Sequence, residues 1–247
     1  MTEAGWSYYE RAIKIVNDVA ELNVLTEDAN IALEGTINLA APLSFGLCHL
    51  STAINDFIKQ HPKLTININF SDRQVDLVEE GLDLAFRIAS LKDSNLIARK
   101  LSPIKHVLCA SPGYLKEQGT PTSLHHLKSH QLLHYNLSGS SIWKLTDKQG
   151  EQHSINVSAH MVANNGDFLK DMAISGHGII MTPTFIAWKA IASGELVPIL
   201  PDYEPPLLNA YTVYPQRRYL SQRTRVLIEF LAERFGDNPY WDQHINV

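Results

Sequence analysis

The segment from Ser71 to Leu101, SDRQVDLVEEGLDLAFRIASLKDSNLIARKL, constrains the fold of this chain more than any other. It reads as a loop, a short amphipathic helix, a glycine turn, a buried strand, a polar loop and a second strand. Leu77 and Val78 sit on the predicted helix, which Gly81 can end because glycine tolerates the left-handed conformation that follows a last turn. The run LDLAFRI then reads as a strand covered on both faces, with Arg87 near its end. Open α/β sheets collect ligands outside the carboxyl ends of their strands. The segment therefore predicts a small-molecule site carried on loops.

Strand and helix alternate around it. Ile37 and Leu39 alternate in a short strand broken at Pro42. Ser44 reads as the N-cap of a helix carrying Leu47, Leu50, Ile54, Phe57 and Ile58, closed by His61-Pro62. Leu64, Ile66, Ile68 and Phe70 alternate strictly, as in a strand with one covered face. This order predicts a parallel sheet with right-handed crossovers. A second block runs from about Lys105 to Leu207. Its strand VLCA precedes a hairpin, WKLTDKQGEQHSINV, that turns at Asp147 to Gly150. Asn165 can cap a helix running to Ser175, a strand starts at Gly178, and a helix from Thr184 to Ser193 ends at Gly194. Leu208 to Tyr214 reads as a strand, and Ser221 to Phe235 as an amphipathic helix on Val226, Leu227, Phe230 and Leu231.

The expected fold class is α/β with two lobes, each a mixed sheet flanked by helices, and chain crossings near residues 102–106 and 207–211. Lobe I takes residues 35–104 and 209–237, lobe II takes 105–208, and 238–247 form a C-terminal tail. Two crossings make a hinge, and the cleft between the lobes is the default site.

Residues 1–34 differ in character. Tyr8, Ala12, Ile15, Val19, Leu22, Thr26, Ala29 and Leu33 recur at alternating spacings of four and three, a heptad seam interrupted by Thr26. Ile13, Val16 and Ala20 widen the apolar face. A helix of about 30 residues spans roughly 45 Å, more than one small lobe needs. It either packs on its own domain or serves as a linker and dimerisation helix pairing with a partner chain; the length of the seam favours the second.

Composition excludes several classes. A formal charge of −5 over 247 residues offers no basic footprint, and DNA affinity rests on Lys and Arg neutralising phosphates. Cys48 and Cys109 read as reduced, mostly buried thiols, one on a first-lobe helix and one on a second-lobe strand, unsuited to pairing. There is no apolar run of about 18 residues and no basic leader before an apolar core. A cytoplasmic protein without a membrane partner is expected. His125, His126, His130 and His134 invite a metal reading, but QLLHY looks like a strand, so helical spacing fails and no metal is expected. No GxSxG elbow, phosphate-cradling glycine loop or HExxH occurs, so neither catalytic residues nor a cofactor are expected.

What the chain could hold is a small polar group. The helix starts at Ser44-Phe45-Gly46 and Asn164-Asn165-Gly166 present free N–H groups suited to an anion. The plainer reading is that Ser44 and Asn165 only cap their own helices. Arg87 could pair with a ligand or with a neighbouring carboxylate, and Asp72 could cap the helix after it.

The motifs TEAGWSYYER (residues 2–11), GTINLAAPLSFG, FSDRQVDLVEEGLDLAFRIASL, LIARKL, VLCASPGYL, NNGDFLKDMAISGHGI and YPQRRYLSQRTRVLIEFL occur in that order. Together they resemble the linker helix and effector-binding region of a LysR-type transcriptional regulator. The resemblance implies a two-lobed type II periplasmic-binding-protein-like fold and transcription regulation by a small-molecule effector. It also implies paired linker helices and a homodimer or homotetramer. DNA would be bound only through a winged helix-turn-helix missing from this chain, since Met1 stands about where a family member leaves that domain.

Carried over residue by residue, the effector cleft would use Pro42, Leu43, Ser44 and Phe45, then Ser71 and Asp72, then Arg87, Ile88, Ala89 and Ser90. The other lobe would supply Asn136, Leu137, Asn164, Asn165, Thr182 and Pro183. The ligand differs between members, so its class does not transfer. Two rivals share the scaffold. A transporter's solute-binding protein would need a signal peptide or lipoprotein cysteine. An enzyme would need a nucleophile or acid–base pair in the cleft, and Asp72 with Arg87 supplies neither.

Overall fold

A computed structural model describes residues 33–73, 75–90, 96–136, 141–215 and 220–243, together with residues 2, 5, 6, 8, 9, 11, 12 and 15. The first sheet contains β1 (Gly35–Ala41), β2 (Leu64–Phe70), β3 (Leu84–Ala89), β4 (Leu96–Ile104) and, from far along the chain, β13 (Leu208–Pro215), in the order β2-β1-β3-β13-β4. β1 is parallel to β2 and β3, whereas β13 is antiparallel to β3 and β4. The sheet is mixed because its last strand returns from the other end of the chain.

The second sheet has the order β11-β5-β10-β6-β9, from β5 (His106–Ala110), β6 (Leu132–Tyr135), β9 (Ala159–Ala163), β10 (Ile179–Pro183) and β11 (Val197–Pro198). It is buried on both faces. Leu108 and Ala110 enter one core with Trp143, Leu145 and Ile155, while Val107 and Cys109 enter another with Leu169, Ala173 and Ala187. The hairpin β7 (Ile142–Asp147) and β8 (Gln152–Asn156) forms around the expected turn at Asp147 to Gly150. It gains a third strand, β12 (Tyr203–Glu204), and becomes a sheet of its own.

The helices follow local signals in most places. Ser221 caps α6 (Gln222–Phe235) by accepting the Thr224 N–H at 3.2 Å, and Asn165 caps α4 (Gly166–Ile174) by accepting the Phe168 N–H at 2.9 Å. Ser221→Ala should lower stability by about 1 kcal/mol, read from a urea transition, because one N–H of the first turn loses its acceptor. The remaining helices are α1 (Leu43–Phe45), α2 (Ser51–Gln60), α3 (Pro112–Gln118) and α5 (Thr184–Ala192), with short 3-10 turns at His126–Ser129 and Tyr240–Asp242. Gly178 connects α4 to β10 at φ +149, where an added Cβ would lie 2.4 Å from the Gln131 carbonyl oxygen. Only glycine fits there.

Four expectations are corrected. Leu77 to Gly81 form a turn rather than a helix: Asp76 Oδ1 accepts the Val78 and Glu79 N–H groups, and the Leu82 N–H returns to the Leu77 carbonyl at 2.9 Å. Ser44 is not an N-cap. α1 starts two residues earlier than a Ser44 cap requires, with Pro42 in the N-cap position, and no side chain within the segment caps it. α1 and α2 are joined by a π-helical turn, Gly46–Leu50, in which Gly46 lies against the Phe70 ring. Cys48 on that turn is exposed rather than buried, while Cys109 is buried as expected, and neither is in a disulfide.

The N-terminal helix is described only in part. Residues 5, 6, 8, 9, 11, 12 and 15 are helical, and Tyr8 and Ile15 are exposed. Leu33, the last seam position, packs against the first-sheet core. Val19, Leu22, Thr26 and Ala29, with Ile13, Val16 and Ala20, lie outside the described residues.

Candidate effector-binding site

The carboxyl end of β1 runs into α1, so the backbone of Leu43 to Phe45 opens at the edge of the first sheet. The loop after β2 folds back to this point. The Ser71 N–H bonds the Ala41 carbonyl at 2.9 Å, and Asp72 Oδ1 accepts the Leu43 N–H at 3.2 Å. The helix start that the sequence suggests for an anion thus already holds a carboxylate of the protein itself. Burial pushes the Asp72 carboxyl upward, the Leu43 N–H draws it back, and Asp167 raises it again.

That last influence ties the two sheets together. Asp167 lies in the first turn of α4, beside the second sheet, and forms an ion pair with Lys170 at 3.4 Å. Tyr135, at the end of β6, has its phenol pushed up first by burial and then by the Asp72 carboxylate. Asp72 therefore lies within electrostatic reach of both Tyr135 and Asp167, which sit beside the second sheet. Neither Tyr135 nor Asp167 stands out in the sequence, because the tertiary fold alone brings them opposite Asp72.

The other expected positions divide. Asn165 is spent on its cap, Ser71 Oγ accepts the Arg73 N–H at 3.2 Å, and the Asn136 N–H bonds the Ala163 carbonyl at 3.0 Å. Arg87 donates from Nη2 to the Val75 carbonyl at 2.8 Å, which ties its guanidinium to the backbone of the loop after β2. Ile88 and Ala89 are half-buried, and Ser90 and Asn164 are exposed. Thr182 is buried at the end of β10 with no hydrogen-bond partner for its hydroxyl, and Pro183 leads into α5. Phe45 turns away into an aromatic core with Phe86, Phe185, Phe235 and Trp241. Leu137 lies outside the described residues.

Further clusters are accounted for by local structure. His126 contacts Thr122, His130 the Tyr114 hydroxyl, and His134 the Trp143 indole, so these three histidines have separate partners. Asp147, Glu151 and His153 bring ligand-type atoms within 4.8 Å of one another. There Asp147 Oδ1 accepts the Gln149 and Glu151 N–H groups and Oδ2 meets His153 Nε2 at 2.8 Å, which locks the hairpin turn and holds the Asp147 carboxyl below its ordinary range. Among the described residues no helix is long and apolar enough to cross a membrane.

Residues 31–236 match the family model described as the LysR substrate binding domain. The chain belongs to the LysR-type transcriptional regulators. It is 34% identical over 219 residues to an uncharacterized HTH-type transcriptional regulator of Haemophilus influenzae, covering 89% of this chain and 76% of that protein. It is 33% identical over 234 residues to the HTH-type transcriptional activator TtdR of Escherichia coli, covering 94% and 75%. The structure of CrgA, a LysR-type transcriptional regulator from Neisseria meningitidis, superposes with a TM-score of 0.76 at 29% identity, covering 96% of this chain and 80% of that one. This LysR-type regulator thus carries the two-lobed periplasmic-binding-protein-like domain of its family. It is the effector-sensing part of a transcriptional regulator. Such regulators bind small-molecule effectors and oligomerise, and the relatives are regulators rather than enzymes.

Proposed function

We propose that this chain binds its effector between a lobe of residues 35–104 with 209–237 and a lobe of residues 105–208, and that it forms a homodimer or homotetramer in the cytoplasm. The Pro42–Phe45 backbone, Ser71, Asp72 and the end of β3 from Arg87 to Ser90 line one wall. Asn136, Asn164, Asn165, Thr182 and Pro183 line the other. The observation that carries this reading is that Asp72, from the first sheet, lies within electrostatic reach of Tyr135 and Asp167, from beside the second. The buried, unpartnered Thr182 hydroxyl supports it, because such a group is costly until something bonds it.

Effector binding changes the relation of the lobes and so the oligomer that holds the DNA-binding domains. A ligand achieves this only through its difference in affinity for the two arrangements. The N-terminal seam pairs the chains. A thermal-shift screen against small carboxylates, aromatic acids and amino acids tests the site. One chemical class should raise Tm in a saturable way, by mass action on the native state. The rise should vanish in Ser44→Leu and Asn165→Leu variants; a rise that survives both places the ligand elsewhere.

A further inference from the structure

The chain's last described turn contacts both lobes at once. Trp241 is buried against Phe45 and Phe235 of the first lobe, with ring centroids 6.0 Å away in each case, and against Phe185 of α5 at 6.4 Å. Tyr240 meets Trp188 of α5 edge-on at 5.8 Å and hydrogen-bonds His49 on the π-helical turn. His49 completes the bridge: its other ring nitrogen lies 3.0 Å from the Phe185 carbonyl. A carbonyl only accepts, so Nε2 carries a proton; burial keeps the ring neutral, so Nδ1 accepts from the Tyr240 hydroxyl. One neutral imidazole therefore holds α5 on one side and the C-terminal turn on the other.

The position matters as much as the contacts. α5 begins beside the chain crossing, where the Thr184 N–H bonds the Lys105 carbonyl at 2.9 Å. His49 and Phe45 ride on the same continuous helical stretch as Leu43, whose N–H meets Asp72 in the cleft. A clamp this close to the hinge governs a large displacement at the far ends of the lobes, and it shares its helix with the site. Its docking is also incompletely satisfied. The Trp241 Nε1–H and both carboxylate oxygens of Asp242 are buried without a hydrogen-bond partner. The large apolar burial of this turn is thus opposed by orphaned polar groups, each of which costs free energy while it stays docked.

We propose that Tyr240–Asp242 is a strap that sets the angle between the lobes through His49, and that its release frees the hinge. The proposal concerns how the lobes are held and does not depend on which effector occupies the cleft. Spin labels at Lys63→Cys and Gln149→Cys, in a Cys48→Ser background, report the interlobe distance by pulsed electron resonance. The intact chain should give one narrow distribution. Tyr240→Ala, and a chain ending at Asn238, should broaden or shift it, with Tyr240→Phe, which loses only the hydroxyl, between them. Circular dichroism checks that each variant is folded. Tyr240 is partly exposed, so the alanine variant should keep its fold even if the truncation does not. An unchanged distribution in folded Tyr240→Ala overturns the proposal.

Discussion

Stability of this domain should fall steeply as pH drops from about 6.5 toward 4, because two imidazoles are held neutral inside it. Burial is the main cause for both His49 and His106, each with a pKa lowered from 6.5 to about 4. Around His49, Lys189 lowers it further, while the Phe185 carbonyl and Asp167 pull the other way without prevailing. His106 lies at the crossing into the second sheet; the Ile104 carbonyl raises it slightly, and its Nδ1 has no partner. Above the unfolded value both states are neutral and the full stability is present. Below it the unfolded chain takes up protons that the folded chain refuses, so stability is lost until the folded pKa is reached and then levels off.

A shift of this size corresponds to something on the order of 3 kcal/mol per imidazole at the acid limit. Asp72 works in the opposite sense, since its carboxyl is raised and folding favours its protonated form as pH falls. Chemical denaturation at constant ionic strength between pH 8 and 4 measures the slope. The double variant His49→Gln, His106→Gln should be less stable at pH 8 yet much flatter over this range. A double variant with the parental slope would assign the acid sensitivity to other groups.

Trp143→Ala should remove about 3–5 kcal/mol of stability, the range for deleting a large buried aromatic. Trp143 is 2% exposed on β7 and fills the core between the second and third sheets with Leu108, Leu127 and Leu145. Its indole N–H also donates to His134 Nδ1 at 3.2 Å. Losing the ring therefore leaves a cavity and removes a bond from a buried histidine. Trp143→Phe keeps most of the volume and loses the bond, so its effect should be about 1–3 kcal/mol. Guanidinium titrations separate the two variants. If they proved equally destabilised, the hydrogen bond rather than the packing would dominate this core.

Much of the architecture was legible because its signals are local. Asn165 and Ser221 cap the helices that follow them, and an acceptor three residues from its donor is visible in any sequence. Strict alternation marked β2, and the turn at Asp147 to Gly150 marked the β7–β8 hairpin. The family motifs suggested the wall residues, and Phe45, placed among them, turns into the aromatic core. Where local rules failed, a distant group had displaced a near one. Ser44 loses the cap role, and the Leu43 N–H is taken by Asp72, 29 residues away. Leu77 to Gly81 have helical spacing but too few residues before Gly81, and Asp76 closes them as a turn.

By itself, then, the sequence determined the elements, their alternation and the family, because periodicity, caps and glycine turns act within a few residues and motifs persist in order along the chain. The tertiary structure alone decided what faces what. It set Asp72 against Tyr135 and Asp167, recruited β12 to make a third sheet, and joined His49 to Phe185 and Tyr240 across 136 and 191 residues. His49 was overlooked although Phe45, His49, Ala53 and Phe57 recur at every fourth position, a stripe that marks the buried face of a helix. Periodicity told that the ring is buried. Which carbonyl and which hydroxyl would meet it depended on how the two lobes and the Tyr240–Asp242 turn close around that helix, and no short-range pattern encodes a contact made at such separation.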